Sequence, residues 1–187
     1  IQISIDTVSA TAAVDALFET KDTKLAKDVT QADIDEAKAL VEVLKEKEVN
    51  VTTYENSIKA AQKLFDDANA AAPVIEMIKA LPKAEEITEE NIDQVKPLVV
   101  AARAAYDGED GLTEDQQKFV EADVLAILTA AEDKITTLEQ PLTNALAAVN
   151  EASDANAMKR VIEGSPEGED AVPYAETLGL DIGEDSD

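Results

Sequence analysis

The chain has 187 residues and carries 41 acidic against 16 basic side chains, a formal net charge of −25, with no His, Cys or Trp. That balance excludes nucleic-acid binding, which rests on Lys and Arg neutralising phosphates, and it disfavours anionic membrane surfaces. Lack of Cys excludes disulfides and thiolate metal sites, and the longest apolar run, around Leu98 to Ala102, falls far short of the ~18 to 20 residues of a membrane span.

Val8, Val14, Leu17 and Phe18 predict a short amphipathic helix, followed by a polar connection through Thr20 to Val29. Thr30-Gln-Ala-Asp-Ile-Asp-Glu-Ala-Lys-Ala-Leu-Val41 then begins a helix running to about Glu46, with Ile34, Ala37, Leu40, Val41 and Leu44 on one face. The same pattern returns as Thr88-Glu-Glu-Asn-Ile-Asp-Gln-Val-Lys-Pro-Leu-Val99, where Ile92, Val95, Leu98, Val99 and Ala102 share a face. Thr30 and Thr88 stand where N-caps belong, with acids in the following turn. A duplicated amphipathic helix indicates a duplicated module, and tandem modules serve as architecture.

Between the copies, a third helix starts near Thr52, with Tyr54, Ile58, Ala61, Leu64, Phe65 and Ala68 on its apolar side. Three such stripes close around a common core. Pro73 either begins a fresh helix or lies within one shared between neighbouring units. The shared helix is favoured, because Asn69 to Ala72 contains no turn residue. Leu81-Pro82 ends that segment.

Pro97 is discordant in the second copy, where the first has Ala39, and predicts a kink or a restart. The copy runs to about Asp107 and the turn Asp107-Gly-Glu-Asp-Gly-Leu-Thr113. Thr113-Glu-Asp-Gln116 is a capping box ahead of Phe119 and Val120. A further helix carries Val124, Leu125, Ile127, Leu128, Ala131, Ile135 and Leu138. Pro141 opens a third segment with Leu142, Ala145, Leu146 and Val149 on one face. Ser153 caps a short helix with Met158, Val161 and Ile162, closed by Gly164. The acidic stretch from Ser165 to Asp187 contains one segment able to dock, Val172 to Leu180.

Several patterns invite sharper chemistry. The Asp107 to Asp115 loop has the oxygen density of a calcium site, but an EF-hand register from Asp107 puts Gly111 at position five and Lys118 at position twelve, so the motif fails. The loop reads instead as a polar turn with N-cap acids, and diffuse screening by divalent ions is favoured over a defined cage. Glu85-Glu86 and Glu89-Glu90 read as helix-start acids rather than a catalytic pair. Without His or Cys the common nucleophile–base arrangements are absent, so no enzyme is expected and no catalytic, cofactor or metal residue is assigned. Tyr54, Tyr106 and Tyr174 are candidate contacts for a partner or a sugar; Tyr54 and Tyr106 lie on apolar faces and read as packing with a wet hydroxyl. Asp35 and Asp93, with Lys38 and Lys96, form either a repeated site or routine surface pairs.

Two family resemblances rest on these stretches. Ala13-Val14 through Leu17-Phe18, Asp28-Val29-Thr30, Ile34-Asp35, Leu40-Val41-Glu42 and Lys59-Ala60-Ala61-Gln62-Lys63-Leu64 occur in order within residues 8–69. This set resembles the helical module in the protoxin half of bacterial insecticidal crystal proteins, which implies a spectrin-like bundle with no catalytic residues. Val74-Ile75, Ala80-Leu81-Pro82, Ala101-Ala102-Arg103-Ala104-Ala105-Tyr106-Asp107, Leu112-Thr113 and Gln116-Gln117-Lys118 make residues 73–139 similar to repeats of surface-layer and other cell-wall proteins of Gram-positive bacteria. The extra Glu109-Asp110-Gly111 and Pro97 depart from that pattern. Asn150 to Ile162 also resembles a segment of such proteins. No surface-layer-homology anchor or sortase motif is present in the sequence.

Helix formers dominate, only six Gly and six Pro punctuate them, and aromatics are 3% of residues, so the core is built from Ala, Val, Ile and Leu. The expected fold is all-α: tandem three-helix, spectrin-like bundles with shared or kinked connecting helices. The modules are 1–72, 73–139 and a partial third, 140–187, with an acidic tail. Two or three stacked units of ~30 Å helices extend roughly 60 to 100 Å. The absence of an initiator Met at Ile1 leads us to expect a mature product or an excised piece of a larger chain. The expected function is a non-catalytic spacer or stalk of an extracellular, surface-layer-type protein at the Gram-positive cell wall, without cofactors or membrane insertion. Its partners are the neighbouring domains and a cell-wall polymer or protein. The alternatives are an interaction module binding a host protein or wall carbohydrate through a helical face, and an accessory segment of a protoxin.

Overall fold

The computed structural model describes residues 2–151. The fold is predominantly α-helical: α1 (Gln2–Ala16), β1 (Phe18–Thr20), β2 (Lys24–Leu25), α2 (Gln31–Glu46), α3 (Thr52–Lys79), a 3-10 turn (Ala84–Glu86), α4 (Ile92–Asp107), the one-turn α5 (Glu114–Gln117) and α6 (Ala122–Glu151). The helix expected after Ser153, the docking segment Val172 to Leu180 and Tyr174 lie outside the described residues.

The chain divides into two compact units. One comprises Ile1–Ala80 with Ala102–Leu125, the other Leu81–Ala101 with Ala126–Asp187, and the boundary falls within α4 and α6. In the first unit α1, α2 and α3 pack against one another. Ala10, Val14 and Leu17 meet Ile34, Ala37, Val41 and Leu44 of α2, and Val51, Ile58 and Ala61 at and along α3. Small residues at Ala10, Ala37 and Ala61, each fully buried, let the helix axes approach closely. In the second unit Ile87, Val95, Val99, Leu128, Ala131 and Ile135 are buried. There Lys96 of α4 pairs with Glu139 of α6.

The duplicated helix keeps its geometry at matching positions. Ala37, Val41 and Leu44 are buried in α2, and so are their counterparts Val95, Val99 and Ala102 in α4. Thr30 caps α2: its Oγ1 accepts from Asp33 N at 3.3 Å, and its own N–H donates to Asp33 Oδ2 at 2.8 Å. At the second copy Thr88 N–H donates to Asn91 Oδ1 at 2.9 Å, so Asp33 and Asn91 supply the same oxygen. The regular helix there begins only at Ile92. Leu98 departs from expectation. It is 55% exposed, because it lies at the edge of the stripe, about a fifth of a turn from the centre of Val95, Val99 and Ala102.

Of the three helical prolines, Pro97 and Pro141 need correction. Pro73, Pro97 and Pro141 all sit inside helices, so α3 is continuous as favoured, α4 does not restart at Pro97, and Pro141 opens no new segment. Of the face expected after Pro141, Ala145 is buried, whereas Leu142 and Leu146 are about half exposed.

Near the start of the chain, Val8 is 67% exposed rather than core-facing. Phe18 belongs to a strand, not to the helix: β1 and β2 form an antiparallel hairpin pairing Phe18 with Leu25 and Thr20 with Lys24. Asp22 turns the hairpin at φ 59° and Asp28 ends the arm at φ 62°, left-handed positions that Asp tolerates better than most residues. Ala26 N–H bonds Leu17 O at 2.9 Å and ties the arm back to α1.

Candidate functional site

A groove of about 840 Å³ in the first unit is floored by α3. Leu64, Phe65 and Ala68 form the floor, Leu25 and Val29 one wall, and Phe119 the other. The hairpin arm and the α5 turn stand on either side because each packs on α3. α5 is short but well set: Thr113 Oγ1 accepts from Gln116 N at 3.4 Å, and Gln116 Oε1 accepts from Thr113 N at 2.9 Å. Gln117 Nε2 then donates to Leu112 O at 2.9 Å and Tyr106 O at 3.2 Å, which fixes the turn against the end of α4.

The rim of the groove is a chain of ion pairs. Lys63 Nζ lies 2.6 Å from Asp67 and 2.7 Å from Asp115, and Lys118 Nζ lies 2.7 Å from the other oxygen of Asp115. Hydrogen bonds from Lys118 and Lys63 pull the Asp115 carboxyl from 3.8 down to about 2. Asp115 in turn raises the Lys63 ammonium, with Asp67 adding to it. A smaller pocket of about 360 Å³ lies where α1 ends and α2 begins, lined by Ala16, Asp28, Asp33 and Glu36 among others. Asp33 is lowered there by its hydrogen bonds with Thr30, so its carboxylate is already committed to the cap.

The residues singled out from the sequence do not converge. Asp107 pairs with Arg103 at 3.3 Å, while Asp115 turns to its two lysines at the far end of the loop. Gly108 and Gly111 make the turn compact, since a Cβ at either would lie within 2.8 Å of the Ala104 carbonyl oxygen. Among the described residues no group of three or more acids is placed to hold a metal ion. Glu86 Oε2 accepts from Lys83 N at 2.9 Å, and Glu89 and Glu90 are exposed. Tyr54 is half buried with its hydroxyl 2.9 Å from Thr11 Oγ1, and Tyr106 carries the Arg103 guanidinium 5.7 Å from its ring centre. Asp35 accepts from Gln31 at 3.1 Å, whereas Lys96 reaches Glu139, so the two copies use these positions differently.

The groove itself was not foreseen, because its walls come from the hairpin and the α5 turn. The available signal was aromatic placement: Phe65 and Phe119, two of only three Phe in the chain, both line it. Chemically it offers an apolar floor and fixed ion pairs. The one buried polar side chain among the described residues is Ser57, at 2% exposure. No described helix is long and apolar enough to cross a membrane.

Residues 6–67, covering most of α1, the hairpin, α2 and the first half of α3, match the family described as pesticidal crystal protein Cry1Aa, domain IV. No curated protein and no solved structure matches the chain.

Proposed function

We propose that the chain is a non-catalytic helical spacer of a larger extracellular bacterial protein of the surface-layer type. The observation that carries this reading is the chemistry of the interior, where Ser57 is the only polar side chain buried among the described residues and the rest of the core is Ala, Val, Leu and Ile. Such an interior holds helices in place and presents no tuned acid, base or nucleophile. The duplicated helix, with matching buried positions in α2 and α4, supports the same reading, since a repeated unit lengthens a scaffold without adding a site. Its partners are the domains on either side and a wall polymer or protein they engage.

A spacer must hold a fixed separation. Spin labels placed on exposed positions of α2 and α6 in the full chain should give one narrow distance distribution, unchanged between low and physiological ionic strength. A broad or salt-dependent distribution would rule the role out. The match of residues 6–67 favours a second reading, an accessory segment of a protoxin. The domains that flank this segment in the full gene product separate the two readings: toxin domains beside it would overturn the spacer, and wall-protein repeats would overturn the protoxin segment.

A further inference from the structure

Seven Asn occur in the chain, and only Asn50 begins a triplet of the form Asn-x-Thr or Asn-x-Ser, as Asn50-Val51-Thr52. This triplet is the acceptor pattern for N-linked glycans, in which a transferase holds the hydroxyl while the Asn amide reacts. The pattern carries weight only where folding leaves both groups within reach. Here it does. Residues 47–51 connect α2 to α3, and Thr52 is the first residue of α3. Asn50 and Thr52 are exposed, whereas Val51 between them is 5% exposed and belongs to the core. Val51 anchors the connection, and its two neighbours face water.

A capping role accounts for only part of this arrangement. Asn50 Oδ1 accepts from Thr52 N–H at 3.1 Å, which satisfies a donor at the start of α3. Asp or Ser would serve there as well. The Asn50 amide nitrogen and the Thr52 hydroxyl take no part in the cap, and neither bonds to another described residue. Glu48, two residues before Asn50, is also exposed, at φ 56°, and offers a charge that a basic group of a transferase can pair.

We propose that Asn50 is a glycosylation site, modified by a membrane-bound oligosaccharyltransferase once the chain has been exported. Asn50 Nδ2 attacks the anomeric carbon of a glycan carried on a polyprenyl diphosphate. The C–N bond forms as the C–O bond to the diphosphate breaks. The diphosphate leaves with that electron pair, and Nδ2 gives up one proton to a base of the transferase. The product is still an amide, so Oδ1 keeps its bond to Thr52 N–H and α3 keeps its cap. The inference rests on the spacer reading only for a location outside the cell. The distance measurement that tests the spacer does not depend on the glycan, so the two fail separately.

The test is the protein purified from the cells that make it. Tryptic cleavage after Lys47 and Lys59 releases residues 48–59, whose only acceptor triplet is the one at Asn50. Mass spectrometry with electron-transfer fragmentation, which preserves the glycan, should place a sugar on Asn50. Asn50→Asp keeps the capping oxygen and loses the amide nitrogen, so it should abolish the modification and leave the circular dichroism unchanged. Thr52→Val should also abolish it, and Thr52→Ser should retain it. An unmodified Asn50 in protein from those cells, a glycan that survives Thr52→Val, or a sugar on the Thr52 or Thr53 hydroxyl instead would each overturn the proposal.

Discussion

Glu48 occupies the position just past α2 at φ 56°, where glycine is ordinarily found. Its N–H bonds Lys45 O at 3.0 Å and the Val49 N–H bonds Leu44 O at 3.1 Å, a pattern that closes the helix only if that residue is left-handed. A side chain there costs about 1 kcal/mol, so Glu48→Gly should raise unfolding stability by roughly that amount in a denaturant titration. Leu44, fully buried on the same helix, sets the opposite expectation: Leu44→Ala should cost about 2–5 kcal/mol. Leu98→Ala, at a 55% exposed site, should stay within about 0.5 kcal/mol despite sitting in the equivalent repeat. Equal losses at Leu44 and Leu98 would contradict the burial of the two copies. Asp115 gives a pH dependence. Its folded carboxyl, held at about 2, lies below its ordinary value of 3.8, so the ion pairs contribute in full above that value and are lost as pH falls toward 2. A carboxyl NMR titration should place its midpoint near 2, and Lys63→Met with Lys118→Met should move it back toward 3.8. A midpoint that does not move would mean the lysines are not its cause.

At the scale of elements, the prolines of α3, α4 and α6 follow one rule. Each removes a hydrogen bond to the carbonyl four residues earlier, and those residues are Asn69, Asp93 and Thr137. All three, and all three prolines, are exposed, so water can hydrate the carbonyl that lost its partner. Pro97→Ala should therefore raise the melting temperature modestly and slow amide exchange in the second turn of α4. Ala61→Pro, at a fully buried site of α3, should unfold the first unit, because the carbonyl set free belongs to Ser57, which is itself only 2% exposed. If both substitutions had similar effects, hydration would not be what makes the natural prolines tolerable. This rule also explains which elements were legible. The Thr30 and Thr113 caps are local hydrogen-bond patterns, readable from spacing alone, and the run through Pro73 follows from the absence of a turn residue. The hairpin was not legible, since its strands are three and two residues long and turn at Asp22 without a glycine. Leu98 and Val8 were misjudged because a stripe of apolar residues fixes a helix period but not which of two adjoining faces finds a neighbour. The groove depends on Phe65 and Phe119, which are far apart in sequence, so no local pattern could announce it.

For the molecule as a whole, the governing quantity is the excess of acids, 41 against 16 bases. Two electrostatic terms respond to salt with opposite signs. The ion pairs, such as Lys24–Glu19 at 2.7 Å and Lys45–Glu55 at 2.9 Å, are largely exposed, contribute little each, and weaken as they are screened. Repulsion among the remaining acids acts over longer distances, because the Debye length shrinks from about 30 Å at 0.01 M to about 8 Å at 0.15 M. Bases are too few to pair most of the acids, so relief of repulsion outweighs loss of the pairs. The melting temperature of dilute protein should accordingly rise between those ionic strengths and then level off once the Debye length falls below the spacing of neighbouring acids. A rise that is the same at every protein concentration assigns it to intramolecular repulsion. A melting temperature that is flat or falls with salt would mean that the local ion pairs, led by Lys63 with Asp115, dominate the stability of this acidic chain.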